Sequence, residues 1–361
     1  MKKIGDSFGG IIGGLLLLIV GICLLWWNEG NNVKNLKTTA EMDKVCVDVK
    51  SDKVDSKNDG KCVATSGKLI NEQELTDDTF NVTVKTPIME RVVEVYQWDE
   101  DSDTDDDGKT TYTYKKVWDE DLIDSSEFHK DGHDNPQQKK YDNKEFTSTD
   151  VKVGAFNLSD GQVKQLSTKG KFTDFNEETA TNLELNISNN YLTTSEDLNN
   201  PQIGDIRISF VYNDSTEVSV LAVQKGTTFA SFVSKAGKKV NRVTDGIHTG
   251  QDMITSIKKE NKFLKWLFRI LGTILCIAGF GAILGPISAI ASFVPILGTL
   301  VDTAVGLVAF VLGLALSLLI IAIAWIRFRP VLGIILLAIV VALIAFLIIN
   351  GKKLKNKADK K

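Results

Sequence analysis

The chain has 361 residues, 43% hydrophobic and 24% charged, with a net charge of −4. Those averages match a soluble protein, but Ser7–Asn28 and Pro330–Gly351 carry no charge and Ile270–Ile326 carries only Asp302, which excludes a purely soluble enzyme and a disordered chain. Between Asn28 and Lys262 stand 30 basic and 43 acidic residues, a net of −13 that leaves +9 for the rest, and so acidic a middle argues against nucleic acid as a partner.

In chain order, residues 1–7 form a short N-terminal stretch with Lys2 and Lys3, and residues 8–27 (FGGIIGGLLLLIVGICLLWW) form the first span. A helix rises about 1.5 Å per residue, so this run crosses the ~30 Å hydrocarbon core. Trp26 and Trp27 close it where an interfacial aromatic belt belongs. The following WWNEG offers no small-residue cleavage site, so the run reads as an uncleaved anchor rather than a signal peptide. Gly9/Gly13 and Gly10/Gly14, four apart, permit close helix packing.

Residues 28–262 read as one β-rich (α+β) domain, long enough for a sizeable core. Alternating apolar and polar residues predict strands over 81–85, 91–98, 110–118, 206–212 and 217–224. The second and third make a hairpin joined through 99–109, and the last two make another, turning at 213–216. Short helices are expected at Ser159–Leu166, capped by Ser159, and at Asp252–Lys262. Cys46 and Cys62 fall in this domain. They can pair if it lies outside the cytosol, but nothing in their spacing fixes their distance.

Further spans are expected at 264–284, 304–326 and 331–350, with 285–303 as an interfacial or re-entrant segment and 351–361 as a basic tail. Segment 285–303 holds Pro286, Pro295 and Asp302 and is short for a straight span. The Lys-rich tail and Lys2/Lys3 place both ends in the cytoplasm by the positive-inside rule. Both ends on one side require an even number of spans. Four transmembrane helices, one N-terminal and three C-terminal, therefore carry a large extracytoplasmic domain. Lys258, Lys259, Lys262, Arg327 and Arg329 then fall on the outer side, against the rule.

The motifs for chemistry are few. Asp103, Asp105, Asp107 and Gly108 match positions 1, 3, 5 and 6 of a calcium loop, but Tyr114 stands where the loop needs Glu. A solvated hairpin tip is the simpler reading. His129 and His133 stand four apart, as a helical metal pair would, yet Gly132 and Pro136 favour a turn. Asp302 beside Thr303 reads as a helix cap rather than an ion-coupling carboxylate. No nucleophile or phosphate-loop motif stands in the sequence. No catalytic residue and no cofactor are therefore expected.

Several short strings carry a resemblance. They are Asn28-Glu29-Gly30, Val93-Glu94-Val95-Tyr96-Gln97-Trp98, an aromatic strand ending at Trp118, and Ser125 with Phe128. Then come Gly132-His133-Asp134-Asn135-Pro136, the string Ile203-Gly204-Asp205-Ile206-Arg207 running on to Tyr212, and Arg329-Pro330. In this order and spacing they resemble the transmembrane protein 43 (LUMA) family, with this chain as a divergent or prokaryotic member. The resemblance implies the same four-span layout. It further implies an endoplasmic reticulum or inner nuclear membrane location in eukaryotes, the cell (inner) membrane in prokaryotes, and self-association. It transfers no catalytic residue and no disulfide. Arg207 is expected to pair with an acid across its sheet, and Trp98 to fill the core.

The expected function is a non-enzymatic membrane scaffold. Its partners are the lipid bilayer and either further copies of itself or other membrane proteins. The alternative is a sensor that binds a divalent cation or small ligand in the outer domain. A channel or lipid-remodelling role for 286–303 is a third reading, disfavoured by the scarcity of charge there.

Overall fold

The computed structural model describes residues 2–104, 109–291, 295–326, 331, 334–335 and 337–346, and gives the backbone alone for 2–9, 287–291 and 295–302. The chain divides into a helical unit (Met1–Lys44, Val233–Lys238 and Ile254–Lys361) and a β-rich unit (Val45–Phe232 and Lys239–Met253). The helices are α1 (Lys2–Val45), α2 (Asp160–Val163), α3 (Glu177–Asn182), α4 (Gly250–Ala291) and α5 (Pro295–Ile326).

Among the described residues three helical stretches are long and apolar enough to cross a membrane: Gly10–Val45, Gly250–Pro286 and Thr303–Ile326. Leu337–Phe346 is a shorter apolar helix, and the rest of the expected span at 331–350 lies largely outside the described residues. The seam between α1 and α4 is built from glycine. A Cβ on Gly14 would stand 2.7 Å from the Gly279 carbonyl oxygen, and one on Gly21 would stand 3.1 Å from that of Gly272. The first approach leaves no room for a side chain and the second is tight, which is the small-residue logic of membrane helix packing. Of the glycines singled out above, Gly14 is in this seam, while Gly13 faces open space. Leu25, Cys276, Ile320, Ile321 and Trp325 pack beside it as the buried core of the unit.

One expected boundary of the helices needs correction, and the segment between the second and third expected spans gains definition. First, α1 does not end near Trp27 but runs to Val45, so the β-rich unit begins there and not at Asn28. The extension buries Asn28, Glu29, Asn32, Thr38 and Thr39 along with Met42, so no apolar periodicity marks it. Instead α1 is tied to α4 by polar bonds. Asn28 Nδ2 donates to the Lys265 carbonyl at 3.0 Å, Asn35 Nδ2 to Asn261 Oδ1 at 2.8 Å, and Lys258 Nζ to Asp43 at 2.6 Å. Second, 285–303 is largely helical: α4 continues through Pro286 to Ala291 and α5 starts at Pro295. Pro286 stands inside α4, where it cannot supply the backbone N–H that an interior position uses. Asp302 thus falls inside α5 and does not cap it.

The strands of the β-rich unit and its border are β1 (Val47–Lys50), β2 (Cys62–Asn71), β3 (Leu75–Asp77), β4 (Val82–Val84), β5 (Ile88–Thr104) and β6 (Thr110–Asp119). They continue with β7 (Lys144–Thr147), β8 (Val151–Val153), β9 (Phe156–Asn157), β10 (Gly170–Lys171), β11 (Asn186–Ser188) and β12 (Tyr191–Thr193). The last are β13 (Ile206–Tyr212), β14 (Glu217–Lys225), β15 (Thr228–Ala230), β16 (Phe232–Val233), β17 (Lys239–Val240) and β18 (Arg242–Asp245). One seven-stranded sheet runs β15-β14-β2-β8-β9, with β1 on β2 and β18 on β14. The other runs β11-β12-β13-β5-β6, with β7 on β5 and β10 on β13. Each sheet supports its own apolar cluster. Val63, Val153, Phe156, Val218 and Val220 anchor the first, and Val93, Val95, Leu192, Ile208 and Phe210 the second.

The hairpin expected between 91–98 and 110–118 is present as β5–β6, longer than the sequence pattern marks. The second expected hairpin is not. β13 pairs with β5 and β14 pairs with β2, so the chain passes from one sheet to the other at 213–216. The burial patterns explain the difference. β13 alternates buried and half-buried residues, as a strand with one covered face does, whereas Val218–Ala222 of β14 is continuously buried. The expected helix at Ser159 is α2, shorter than foreseen, with Gln162 Oε1 accepting from the Ser159 N–H at 3.0 Å. Cys46 and Cys62 form a disulfide with a Cα–Cα distance of 4.5 Å, and β1 runs parallel to β2 just beyond it.

Candidate functional site

The face of the second sheet opposite its apolar cluster is aromatic and charged. β5 presents Glu94, Tyr96, Trp98 and Glu100, and β6 presents Tyr114, Lys116 and Trp118 opposite them. Arg207 of β13 stands opposite Glu94 and donates through Nε and Nη2 to its two carboxylate oxygens at 2.6 and 2.5 Å. The same guanidinium lies 4.7 Å from the Trp118 ring centroid and 5.0 Å from that of Tyr191. A planar fork held between two aromatic rings and a carboxylate is a role lysine cannot fill. Tyr96 and Trp118 complete the row with ring centroids 5.1 Å apart.

The loop after β6 folds onto this face. Asn135 imitates a strand: its Oδ1 accepts from the Trp98 N–H at 2.7 Å and its Nδ2 donates to the Trp98 carbonyl at 2.8 Å. His133 stacks on Tyr114 at 3.8 Å and meets Trp98 edge-on at 4.7 Å. His129 stacks on Tyr112 at 4.0 Å. Glu100 accepts from the Tyr114 hydroxyl and from the His129 N–H. The Tyr114 bond holds the Glu100 carboxyl below its usual range, and partial desolvation followed by that bond pushes the phenol up. At the other edge Gly204, with φ +95°, donates its N–H to the Tyr96 carbonyl at 2.9 Å. The Asp205 carbonyl accepts from the Tyr96 N–H at 2.8 Å, and Pro136 lies 3.7 Å from where a Gly204 Cβ would stand.

The structure thus brings together Tyr96, Trp98, His133, Asn135, Pro136, Gly204, Asp205 and Arg207, from three separate strings. Gly132 supplies the turn before His133 with φ +85°. Trp98 lies half-buried on the outward face and not in the core, because its register places it beside Tyr96 and opposite Lys116.

Asn28, Glu29 and Gly30 lie elsewhere, in α1 of the helical unit. Glu29 is fully buried. Its carboxylate accepts from Arg269 Nε at 2.5 Å and Nη2 at 2.9 Å, and from the Trp325 indole N–H. The Arg269 guanidinium also lies 5.1 Å from the Trp266 ring. Neither Arg269 nor Trp325 is singled out by the sequence reasoning. The signal was present: a basic residue inside an apolar helix demands a counter-charge, and Glu29 is the acid beside the end of the first apolar run. Arg329 and Pro330 lie outside the described residues.

The calcium-loop reading finds little to build on. Asp103 pairs with Thr111 and Tyr114 with Glu100 in the β5–β6 ladder, so strands and not helices flank the loop, and Asp105 and Asp107 lie outside the described residues. Among the described residues no three His, Cys, Asp or Glu side chains gather as a metal site. His129 and His133 are each stacked on a different tyrosine.

The family model described as Transmembrane protein 43 matches residues 95–330. Transmembrane protein 43 of Mus musculus and of Homo sapiens are each 25% identical over 376 aligned positions, covering 98% of this chain and 94% of theirs. The Transmembrane protein 43 homolog of Drosophila melanogaster is 26% identical over 346 positions, 89% of each chain. No solved structure matches.

Proposed function

The chain belongs to the transmembrane protein 43 family and is an integral membrane protein, and from that premise we propose that it is a non-enzymatic membrane scaffold. Its β-rich unit lies outside the cytosol and binds a further copy of the chain or another membrane protein. The observation that carries this reading is the convergence of Tyr96, Trp98, Trp118, Tyr191 and Arg207 on one partly exposed sheet face. Tryptophan, tyrosine and arginine are the residues that dominate protein–protein interfaces. The Cys46–Cys62 disulfide supports the extracytoplasmic placement, because disulfides persist in oxidising compartments. The four-span layout with both ends in the cytoplasm rests on the Lys-rich tail and on the apolar segment after α5.

Cross-linking the full-length protein in its native membrane before extraction tests this reading. A discrete homo-oligomer or a reproducible partner band is expected, and Trp98→Ala should weaken it about ten-fold or more, as loss of an interface anchor does. A strict monomer without any partner band would overturn the proposal.

A further inference from the structure

The triplet Asn-X-Ser/Thr, whose side-chain amide accepts an N-linked oligosaccharide, stands four times in the chain, at Asn81, Asn157, Asn186 and Asn213. All four fall in the β-rich unit and none in the helical unit. A fold can carry so bulky and polar a group only on an asparagine that is exposed and whose amide is not spent on the fold itself. Asn213 is only 4% exposed, and its Nδ2 donates to the Ser167 carbonyl at 2.7 Å. Asn157 is half-buried in β9. Asn186 is exposed on β11, but its Nδ2 donates to the Ser195 carbonyl at 3.3 Å. The register of the ladder also sets Asn186 in one row with Thr193, Arg207 and Glu94, on the face proposed above for a partner.

We infer that Asn81 is the acceptor of an N-linked oligosaccharide, an inference that rests on the extracytoplasmic placement proposed above. Asn81 closes the turn from β3 to β4 with φ +50°, a left-handed conformation that asparagine adopts more readily than most residues with a side chain. It is exposed, and no hydrogen bond engages its amide among the described residues. Its neighbours hold the turn in place: Phe80 is 1% exposed, Val82 is fully buried, and both belong to the apolar cluster of the second sheet. Strand alternation then returns Thr83 to the exposed side, where its hydroxyl meets that of Thr76 at 2.9 Å. The amide and the hydroxyl of this triplet are therefore both exposed on a rigid hairpin. That hairpin packs on the apolar side of the second sheet, opposite the aromatic row, so a glycan on Asn81 leaves the row uncovered. In the transfer, the Asn81 amide nitrogen attacks the anomeric carbon of a polyprenyl-diphosphate-linked oligosaccharide. An N–C bond forms, the C–O bond to the diphosphate breaks, the polyprenyl diphosphate leaves, and the amide gives up a proton.

The test synthesises the full chain into microsomes of the endoplasmic reticulum, which supply both the transferase and the lipid-linked oligosaccharide. The wild type should run as a slower band on a denaturing gel, and peptide N-glycosidase should collapse that band to the mobility of the unmodified chain. Asn81→Gln should abolish the glycosidase-sensitive shift. Thr83→Ala should abolish it too while keeping Asn81 and its turn, so the test survives if Asn81→Gln disturbs the hairpin. Gly226→Asn serves as the control. It makes a new triplet with Thr227 and Thr228 in an exposed turn where Gly226 has φ +58° and a Cβ meets nothing within 4 Å. An unshifted wild type beside a shifted Gly226→Asn would overturn the inference and leave the extracytoplasmic placement standing. So would a full shift that both Asn81→Gln and Thr83→Ala retain, which would assign the glycan to another of the four triplets. No shift in Gly226→Asn either would put the β-rich unit on the cytosolic side and overturn the placement and the inference together.

Discussion

Glu29 has no solvent exposure, yet it carries two donors from Arg269 and one from Trp325. Removing one member of such a pair leaves the other charge desolvated, which costs about 3–5 kcal/mol. Glu29→Gln is therefore expected to lower the thermal stability of the detergent-solubilised protein sharply, while Glu29→Gln combined with Arg269→Gln recovers much of the loss. Additive losses in that double-mutant cycle would show that the pair does not act as a unit. Outside the membrane, the Tyr114 hydrogen bond depresses the Glu100 pKa. A carboxyl depressed in the fold stabilises above its unfolded pKa, and that contribution disappears as pH falls through the folded value. Tyr114→Phe should raise the Glu100 midpoint toward the ordinary 4.5 in a carboxyl NMR titration, so that the Glu100-linked loss of stability on acidification shrinks as its folded and unfolded values converge. At this scale the pairing of Arg207 with an acid across the sheet was legible, because alternation places it on the strand face opposite the core. Trp98 was legible too, since Val93 and Val95 point inward and Glu94 outward, and the same alternation sets Trp98 on the outward face rather than in the core.

At the scale of elements, the α1–α4 seam depends on what glycine lacks. A Cβ at Gly279 would stand 2.8 Å from Leu18 Cγ and 2.9 Å from the Gly14 carbonyl oxygen, whereas one at Gly281 meets nothing within 4 Å. Gly279→Leu should separate the helices and destabilise the protein by about 1–3 kcal/mol or more, as overpacking does. Gly281→Leu, two residues away, should leave the melting temperature unchanged. If the two variants melt alike, the seam is not a packing determinant. Half of this seam could be read from sequence, since Gly10 and Gly14 share a helix face, but Gly272 and Gly279 acquire meaning only as their partners. The polar extension of α1 and the separation of β13 from β14 stayed hidden for related reasons. In both places the pairing partner, α4 or β2, is far along the chain, and local periodicity carries no information about it.

At the scale of the whole molecule, apolar run length and charge asymmetry were enough to read a membrane protein with a large β-rich unit, because hydrocarbon thickness imposes a length that few other constraints mimic. The number of spans is set less firmly, since of the last apolar run only Leu337–Phe346 is described as a continuous helix. Topology decides it, because parity links span number to the side on which each end lies. Four spans place Lys3 and Lys357 on one face of the membrane and Lys225 of the β-rich unit on the other. Single cysteines introduced as Lys3→Cys, Lys225→Cys and Lys357→Cys, with Cys23 and Cys276 replaced by serine, separate the possibilities through a membrane-impermeant maleimide on intact cells or sealed vesicles. Labelling of Lys225→Cys alone from the outer side is expected. In that arrangement Cys46 and Cys62 should also stay unlabelled until a reductant opens their disulfide. Outer-side labelling of Lys357→Cys would instead mean an odd number of crossings. The Lys-rich tail would then face the compartment that basic segments avoid, and the electrostatic argument for the layout would fail with it.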